Sequence, residues 1–269
     1  MVDLLNIRDM TLGQYAPRES VIHGYDPRTK LFSSLILMTM LMFTRRWEVM
    51  IVFSLLIIFM YGFAKLSLRL ALSNIRPFIW LFFLTVLLHA FFTPGDSLFR
   101  IPFISTTVTA EGLRQGAFYA FRIILFILVA SLLTLTTSPM SLTDAMERFL
   151  KPLRRFGVPA HEAAMMLSIA LRFIPILVDE ADRIRKAQES RGSQFSGGLI
   201  QRIRSVIPLV IPLFMSAFRR AGDLAFAMEA RCWRGGDHRT SYELLHLGAR
   251  DWTAMGASLL TAVPVLMWR

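Results

Sequence analysis

Long apolar runs alternate with short charged breaks along the first half of the chain. The runs cover 31–43, 49–64, 77–92 and 116–136. Between them lie Arg45-Arg46-Trp47, then Lys65, Arg69 and Arg76, then a weakly charged loop over 93–111 with Pro94-Gly95. A membrane-spanning helix needs about 20 residues at about 1.5 Å each, so the first run spans only with its flanking residues. The pattern predicts four transmembrane helices over 31–137, and a final run at 252–268 is long enough for a tilted fifth. Residues 1–30 are polar, lack a signal-peptide core and read as a cytoplasmic segment. Its end, Asp26-Pro27-Arg28-Thr29-Lys30, abuts the first run. Asp-Pro favours a turn and proline can open a helix, while Arg28 and Lys30 would lie at the lipid headgroups.

The pattern changes over 138–250. Leu142, Ala145, Met146, Phe149 and Leu153 recur at helical spacing in 138–155. Ser141 is the candidate cap, Asp144 lies in the first turn, and Lys151, Arg154 and Arg155 gather at the end. This predicts a helix lying along the membrane surface. The runs at 163–178 and 206–218 are short for a span and carry Arg172 with Pro175, and Pro208 with Pro212. They read as interfacial or partly buried helices that continue into polar ends. Arg183, Arg185, Lys186, Arg202 and Arg204 then face solvent or headgroups. The fold class predicted is an all-α polytopic membrane protein with about five transmembrane helices plus cytoplasmic amphipathic helices. Its divisions are 1–30, 31–137, 138–250 and 251–269.

Two stretches within 138–250 are copies of one another. Ala181, Ala187, Glu189 and Arg191 in the first match Ala221, Ala227, Glu229 and Arg231 in the second, and Ile184 matches Leu224. Gly192 follows the first arginine, and Gly235-Gly236 the second. Glycine just past a helical pattern is a stop signal, so each arginine is predicted in the last turn of a helix. There its charge complements the helix dipole, which by itself explains a single such arginine. Two in matched frames, each between small residues, point instead to a pair of docking tips for another protein.

Composition agrees with a membrane chain: 269 residues, 54% hydrophobic, mean hydropathy +0.50. The net charge is nevertheless +11, and more than half of the Lys and Arg fall within 138–251, which suits the cytoplasmic side. Four preceding spans then put the N-terminus inside as well. Arg28, Lys30, Lys65, Arg69 and Arg76 become inside charges, and Arg45, Arg46 and Arg100 outside ones. The balance supports this topology; Arg45-Arg46 runs against it. No nucleic-acid recognition motif accompanies the basic charge. Cys232 is the single cysteine, so no intrachain disulfide can form.

No catalytic constellation emerges. His161-Glu162 lacks the second histidine of a zinc helix, no phosphate-binding glycine loop exists, and Cys232 has no positioned base. The ionisable residues within apolar runs are Arg122, Arg172 and His89, functional candidates by default. Without a chain of intramembrane carboxylates, a self-sufficient ion-coupled transporter and an intramembrane enzyme are both disfavoured. A coupling scaffold and a stand-alone permease or channel remain the competing readings.

Gly13-Gln14-Tyr15-Ala16-Pro17, followed by Ser20, His23 and Asp26-Pro27-Arg28-Thr29-Lys30-Leu31, resembles the opening of the transmembrane T component of energy-coupling-factor (ECF) transporters. Ser190-Arg191-Gly192 and Ala230-Arg231-Cys232 resemble that family's two short arginine motifs, extended by Glu229, Arg234-Gly235-Gly236 and Arg239-Thr240. The resemblance covers nearly the whole chain.

The resemblance implies a T subunit in the cytoplasmic (inner) membrane of a prokaryote. It would join two ABC-type ATPase subunits to a membrane-embedded substrate-binding S component. Its cytoplasmic coupling helices cross, and their arginine ends sit in grooves on the ATPases. That role falls to Ser190, Arg191 and Gly192 and to Ala230, Arg231 and Cys232, supported by Ala187, Glu189, Ala227, Glu229 and Arg234. Asp26, Pro27, Arg28 and Lys30 carry the N-terminal motif. The family often has Gly or Ser where Cys232 stands, and cysteine is also small. ATP and magnesium would bind the partner ATPases, so no cofactor and no metal is expected in this chain, nor any nucleic acid. The implied function is vitamin or micronutrient uptake, with the T unit of a dedicated cobalt or nickel importer as the alternative within the family.

Overall fold

The computed structural model describes residues 15–16, 18–100, 107–157, 159–192, 199–233 and 247–261. The chain divides into two compact units, one formed by 14–145 with 245–269 and the other by 1–13 with 146–244.

In the first unit α1 (Pro27–Phe43) opens as the sequence predicts: Asp26 caps it by accepting from the Arg28 amide at 2.9 Å, and Pro27 occupies the first turn. Its last carbonyls are closed by Thr44, whose amide and hydroxyl both donate to the Met40 carbonyl, at 3.1 and 2.8 Å. α2 (Trp47–Phe63) ends where Lys65 takes a left-handed φ of 53°. The Lys65 amide then reaches the Gly62 carbonyl, and the Leu66 amide the Tyr61 carbonyl. α3 (Leu68–Ile75), a 3₁₀ turn at Arg76–Phe78 and α4 (Ile79–Phe92) follow without a break. Arg69 and Arg76, expected in a loop, are therefore helical. Pro77 stands in the first turn of the 3₁₀ joint, where its missing amide is tolerated, so the helical stretch continues through it. The expected loop at 93–111 holds an antiparallel hairpin instead, β1 (Ser97–Arg100) paired with β2 (Thr107–Thr109). Threonine and valine at the second strand favour it.

α5 (Ala110–Thr136) starts at Ala110, before the expected Gly116, because Thr109 caps it through the Gly112 amide at 3.1 Å. It is the centre of this unit and packs against α1, α2, α3 and α4. The core lies where it meets α1 and α2: Leu37, Leu41, Met50, Phe53, Leu125 and Val129 are buried there. The Tyr61 hydroxyl donates to the Leu128 carbonyl at 3.0 Å, so its ring is buried without an orphaned polar atom. Against α4 the approach is closer still. A Cβ on Gly112 would stand 2.3 Å from the His89 carbonyl oxygen, and one on Gly116 2.8 Å from the Val86 Cα. Gly112, Gly116 and the buried Ala120 thus form the small-residue seam that lets membrane helices touch along their backbones.

α6 (Pro139–Leu150) is capped by Ser138, whose Oγ accepts from the Ser141 amide at 3.2 Å; the cap is not Ser141 itself. It passes into a 3₁₀ segment at Lys151–Phe156. α9 (Ala249–Leu260) returns to the first unit and packs on α1. Buried Asp251 joins them, with one carboxylate oxygen accepting from the Asp26 amide and the other from the Gly248 amide, both at 2.9 Å.

The second unit is built on α7 (Ala160–Ser190) and α8 (Leu199–Ala230), which pack together. Both continue unbroken from apolar run to arginine end, as predicted, with Pro175, Pro208 and Pro212 tolerated inside them.

By length and apolar composition, the stretches Arg69–Phe92, Ala110–Thr136 and His161–Ser190 suffice to cross a bilayer, and Trp47–Phe63 is a shorter apolar helix. The architecture is that of an all-α membrane protein. One of the long helices is the stretch expected to be interfacial, because the chain stays helical through Pro175 and the apolar run gains length from its flanks.

Candidate functional site

The two helix ends share one geometry. At the first, α7 stops at Ser190, Arg191 is the capping residue, and Gly192 turns left-handed with φ 88°. The Arg191 amide donates to the Gln188 carbonyl at 3.1 Å and the Gly192 amide to the Glu189 carbonyl at 3.0 Å. At the second, Cys232 takes the left-handed position with φ 58°. Its amide reaches the Glu229 carbonyl at 2.8 Å, and the Trp233 amide reaches the Met228 carbonyl at 2.9 Å. Crossed bonds of this kind satisfy the last carbonyls of a helix. Two expectations are corrected here. The arginines cap the helices and lie just past the last turn. The second stop is Cys232; Gly235 and Gly236, with Arg234, Arg239 and Thr240, lie outside the described residues.

The arginines at these caps are exposed. Ser190, Arg191, Gly192, Ala230, Arg231 and Cys232 are all exposed, as are Ala187, Glu189, Ala227 and Glu229. Among the described residues neither Arg191 nor Arg231 has a hydrogen bond or ion pair through its guanidinium. The neighbouring charges of α7 are already paired. Asp182 binds Arg185 at 2.8 Å and Lys186 at 2.7 Å, and Arg185 also binds Glu189 at 2.9 Å. Arg183 is exposed, and the side chains of Arg202 and Arg204 lie outside the described set. The Ser190 hydroxyl donates back to the Lys186 carbonyl at 3.0 Å and so closes the final turn. The α8 end differs in character: Phe226 and Met228 stand where α7 carries Lys186 and Gln188.

One interhelical ion pair joins the two helices among the described residues, Arg220 to Glu180 at 3.2 Å. These residues stand immediately before Ala221 and Ala181, so they occupy the same place in the two copies. Each arginine end therefore lies the same length of helix from the pair, about 16 Å at the usual rise. His161 is also absorbed structurally: its Nδ1 bonds Glu147 at 2.7 Å and ties α6 to α7.

The N-terminal motif sits in the first unit. Lys30 donates to the His23 and Thr136 carbonyls at 3.0 and 2.9 Å, and Arg28 lies 3.8 Å from the Asp26 carboxylate. His23 bonds Ser20 through Nδ1 and the Ala16 carbonyl through Nε2. Burial pushes the imidazole below its ordinary pKa. Gly13, Gln14 and Pro17 lie outside the described residues. Of the intramembrane candidates, His89 bonds the Thr85 carbonyl at 2.9 Å and faces Tyr119, Arg172 is exposed, and Arg122 donates to the Thr44 carbonyl.

Three features escaped the sequence reading: the glycine seam on α5, the Asp251 link and the Glu180–Arg220 pair. The seam had a visible signal in the spacing of Gly112, Gly116 and Ala120. The other two join residues far apart in sequence and had none.

A helical membrane unit, joined by sequence to a pair of packed helices with exposed arginines at their ends, defines a polytopic helical membrane protein. The family profile described as cobalt transport protein, CbiQ, matches residues 18–242, and the chain belongs to this family. It is 46% identical to the energy-coupling factor transporter transmembrane protein EcfT of Thermanaerovibrio acidaminovorans, over 96% of this chain and 95% of that one. It is also 46% identical to the protein of that name from Thermosediminibacter oceani over 98% of this chain and 99% of that one. The relative of that name from Heliobacterium modesticaldum is 44% identical over 98% of both chains.

Proposed function

We propose that this chain is the transmembrane coupling (T) subunit of an ECF-type ABC importer. It transmits the motion of two ATPase subunits to a membrane-embedded S component that binds the vitamin or micronutrient. The observation that carries this reading is the matched pair of exposed, unpartnered arginine caps, set equally far from the Glu180–Arg220 pair. An arginine held this way presents a planar set of donors to carbonyls and carboxylates in a groove, without first breaking an internal ion pair. Ser190 with Gly192, and Ala230 with Cys232, keep the surroundings of each arginine small enough for close approach. ATP and magnesium belong to the ATPases, which carry out hydrolysis. Their closure moves both ends together, and the packed helices pass that movement to the S component. The N-terminus and both arginine ends lie on the cytoplasmic side of the inner membrane, where the basic charge collects. Asp26, Pro27, Arg28 and Lys30 anchor α1 at that surface.

Replacing Arg191 and Arg231 together by Glu tests this. A truncated interfacial arginine anchor costs about 2 kcal/mol or more, and reversal costs more, so co-purification of the ATPases falls by well over tenfold. Unchanged assembly and unchanged ATP-driven uptake in the double variant refute the assignment. A second reading within the family, the T unit of a dedicated cobalt or nickel importer, draws on the cobalt description of the matching profile. Identifying the small hydrophobic chain that co-purifies separates the two. Substrate flux in proteoliposomes holding this chain alone supports a permease instead.

A further inference from the structure

The assembly role leaves Arg45, Arg46 and Arg122 unused. We propose that the turn between α1 and α2, with Arg122 beside it, binds the phosphate headgroup of an anionic membrane lipid. Arg45 and Arg46 are consecutive and exposed in the extended link between the two helices. Arg122 reaches this link from α5, where its guanidinium donates to the carbonyl of Thr44, the residue before Arg45. The same guanidinium lies over Phe118 and Tyr119, 5.0 and 5.1 Å from the ring centroids.

This is a concentration of cations without counter-ions. Among the described residues no carboxylate forms an ion pair with any of the three. The Arg122 Nε is buried with no hydrogen-bond partner. The one acid close in sequence, Glu48, is exposed in the first turn of α2, where it complements the helix dipole. Like charges held together repel, and a multivalent acceptor removes that repulsion. The arginine fork matches phosphate oxygens in pairs, so a phosphate ester is the acceptor the geometry favours.

The position selects a lipid as its source. α1 and α2 are 17 residues each, about 25 Å of helix, so as transmembrane helices they bring their turn close to one face of a hydrocarbon core about 30 Å thick. Long arginine side chains extend the remaining distance to the headgroups. The aromatic residues agree: Trp47 meets Phe118 edge-on at 5.1 Å and Phe121 at 6.3 Å, the kind of cluster found at a membrane–water boundary. A zwitterionic headgroup offers the same phosphate but carries a cation of its own, so an anionic lipid is preferred.

The test is lipid retention by the full-length chain in detergent, read by native mass spectrometry during titration with phosphatidylglycerol or phosphatidylcholine. Wild type is expected to retain phosphatidylglycerol preferentially. Arg45→Gln and Arg46→Gln each weaken that retention roughly fivefold and leave phosphatidylcholine unchanged. Both side chains are exposed, so an unaltered melting temperature without added lipid serves as the folding control. Arg122→Lys, which keeps the charge and loses the fork, weakens retention as well. Equal retention of the two lipids, or full retention by the Arg45→Gln, Arg46→Gln double variant, overturns the proposal. Displacement of phosphatidylglycerol by millimolar inorganic phosphate overturns it too, because the site then takes a free anion.

Discussion

The two arginine caps differ at the residue that follows the arginine, and this difference predicts opposite responses. Gly192 and Cys232 hold the same left-handed position, with φ of 88° and 58°. An L-residue costs about 1–2 kcal/mol in that region because its Cβ crowds the following carbonyl, and glycine does not. A Cβ built on Gly192 meets nothing within 4 Å, so Gly192→Ala carries the backbone cost alone. Alanine also restricts the unfolded chain, which returns about 0.4–1 kcal/mol. The net is a loss of about 0.5–1 kcal/mol at the α7 end, and Cys232→Gly gains a similar amount at the α8 end. Global melting is a blunt reporter for a frayed helix end. Hydrogen exchange of the final-turn amides in the full chain reads it directly, since local opening has its own free energy. Exchange in the last turn of α7 is expected to rise about two- to fivefold in Gly192→Ala, and to slow by a similar factor at the end of α8 in Cys232→Gly. Changes of the same sign at both ends would show that the left-handed cap does not set their stability.

The glycine seam predicts a second contrast: Gly116→Ala drives a Cβ to 2.8 Å from the Val86 Cα, whereas Gly62→Ala in α2 meets nothing within 4 Å. The first is expected to lower thermal stability by about 1–3 kcal/mol and the second to leave it equal or higher, and equal effects would remove the seam from the account. His23 predicts a pH dependence. Its pKa is lower folded than unfolded because burial disfavours the cation, so its contribution is complete above the unfolded value, about 6.5, and declines as pH falls below it. Melting between pH 7.5 and 5.5 is expected to slope less in His23→Gln; an identical slope excludes His23 as a source. The Glu180–Arg220 pair is partly exposed, at 24% and 39%, so neutralising either partner costs no more than about 1 kcal/mol. The exchange Glu180→Arg with Arg220→Glu is expected to restore what each reversal alone loses in ATPase co-purification.

The apolar runs at 49–64, 77–92 and 116–136 were legible because lipid and core both select apolar residues at helical length, whatever they touch; the expected first span, α1, is not among the described stretches long and apolar enough to cross, and the expected fifth extends outside the described residues. For the same reason the pattern could not separate a short interfacial run from a long one. Residues 163–178 sit inside the single helix Ala160–Ser190, whose flanks supply the missing length. Charge misled at Arg69 and Arg76: a positive residue is a good break signal in an apolar run, yet a helix can carry it outward and continue. The hairpin after α4 was hidden because four- and three-residue strands leave too little alternation to count. The cap at Cys232 was missed for a different reason. Glycine is the usual stop, and Gly235 and Gly236 close by carry that signal in the sequence, whereas a cysteine does not.

Identical residues mark the duplicated arms, and for that reason identity says nothing of where the arms touch. Where two copies of a helix meet at the same position, an identical residue on each side places like against like. A carboxylate would face a carboxylate, or a guanidinium a guanidinium, at a cost instead of a gain. The chain has Glu180 in one copy and Arg220 in the other, and the two bond at 3.2 Å. A mismatch in the repeat is therefore what allows the repeat to pack on itself. Under the proposed coupling role, identity at Arg191 and Arg231 marks surfaces offered to partners, while opposition at Glu180 and Arg220 marks the place where the copies face each other. In this duplicated pair of helices, opposite charges at one matched position locate the internal contact, which identical charges there would oppose.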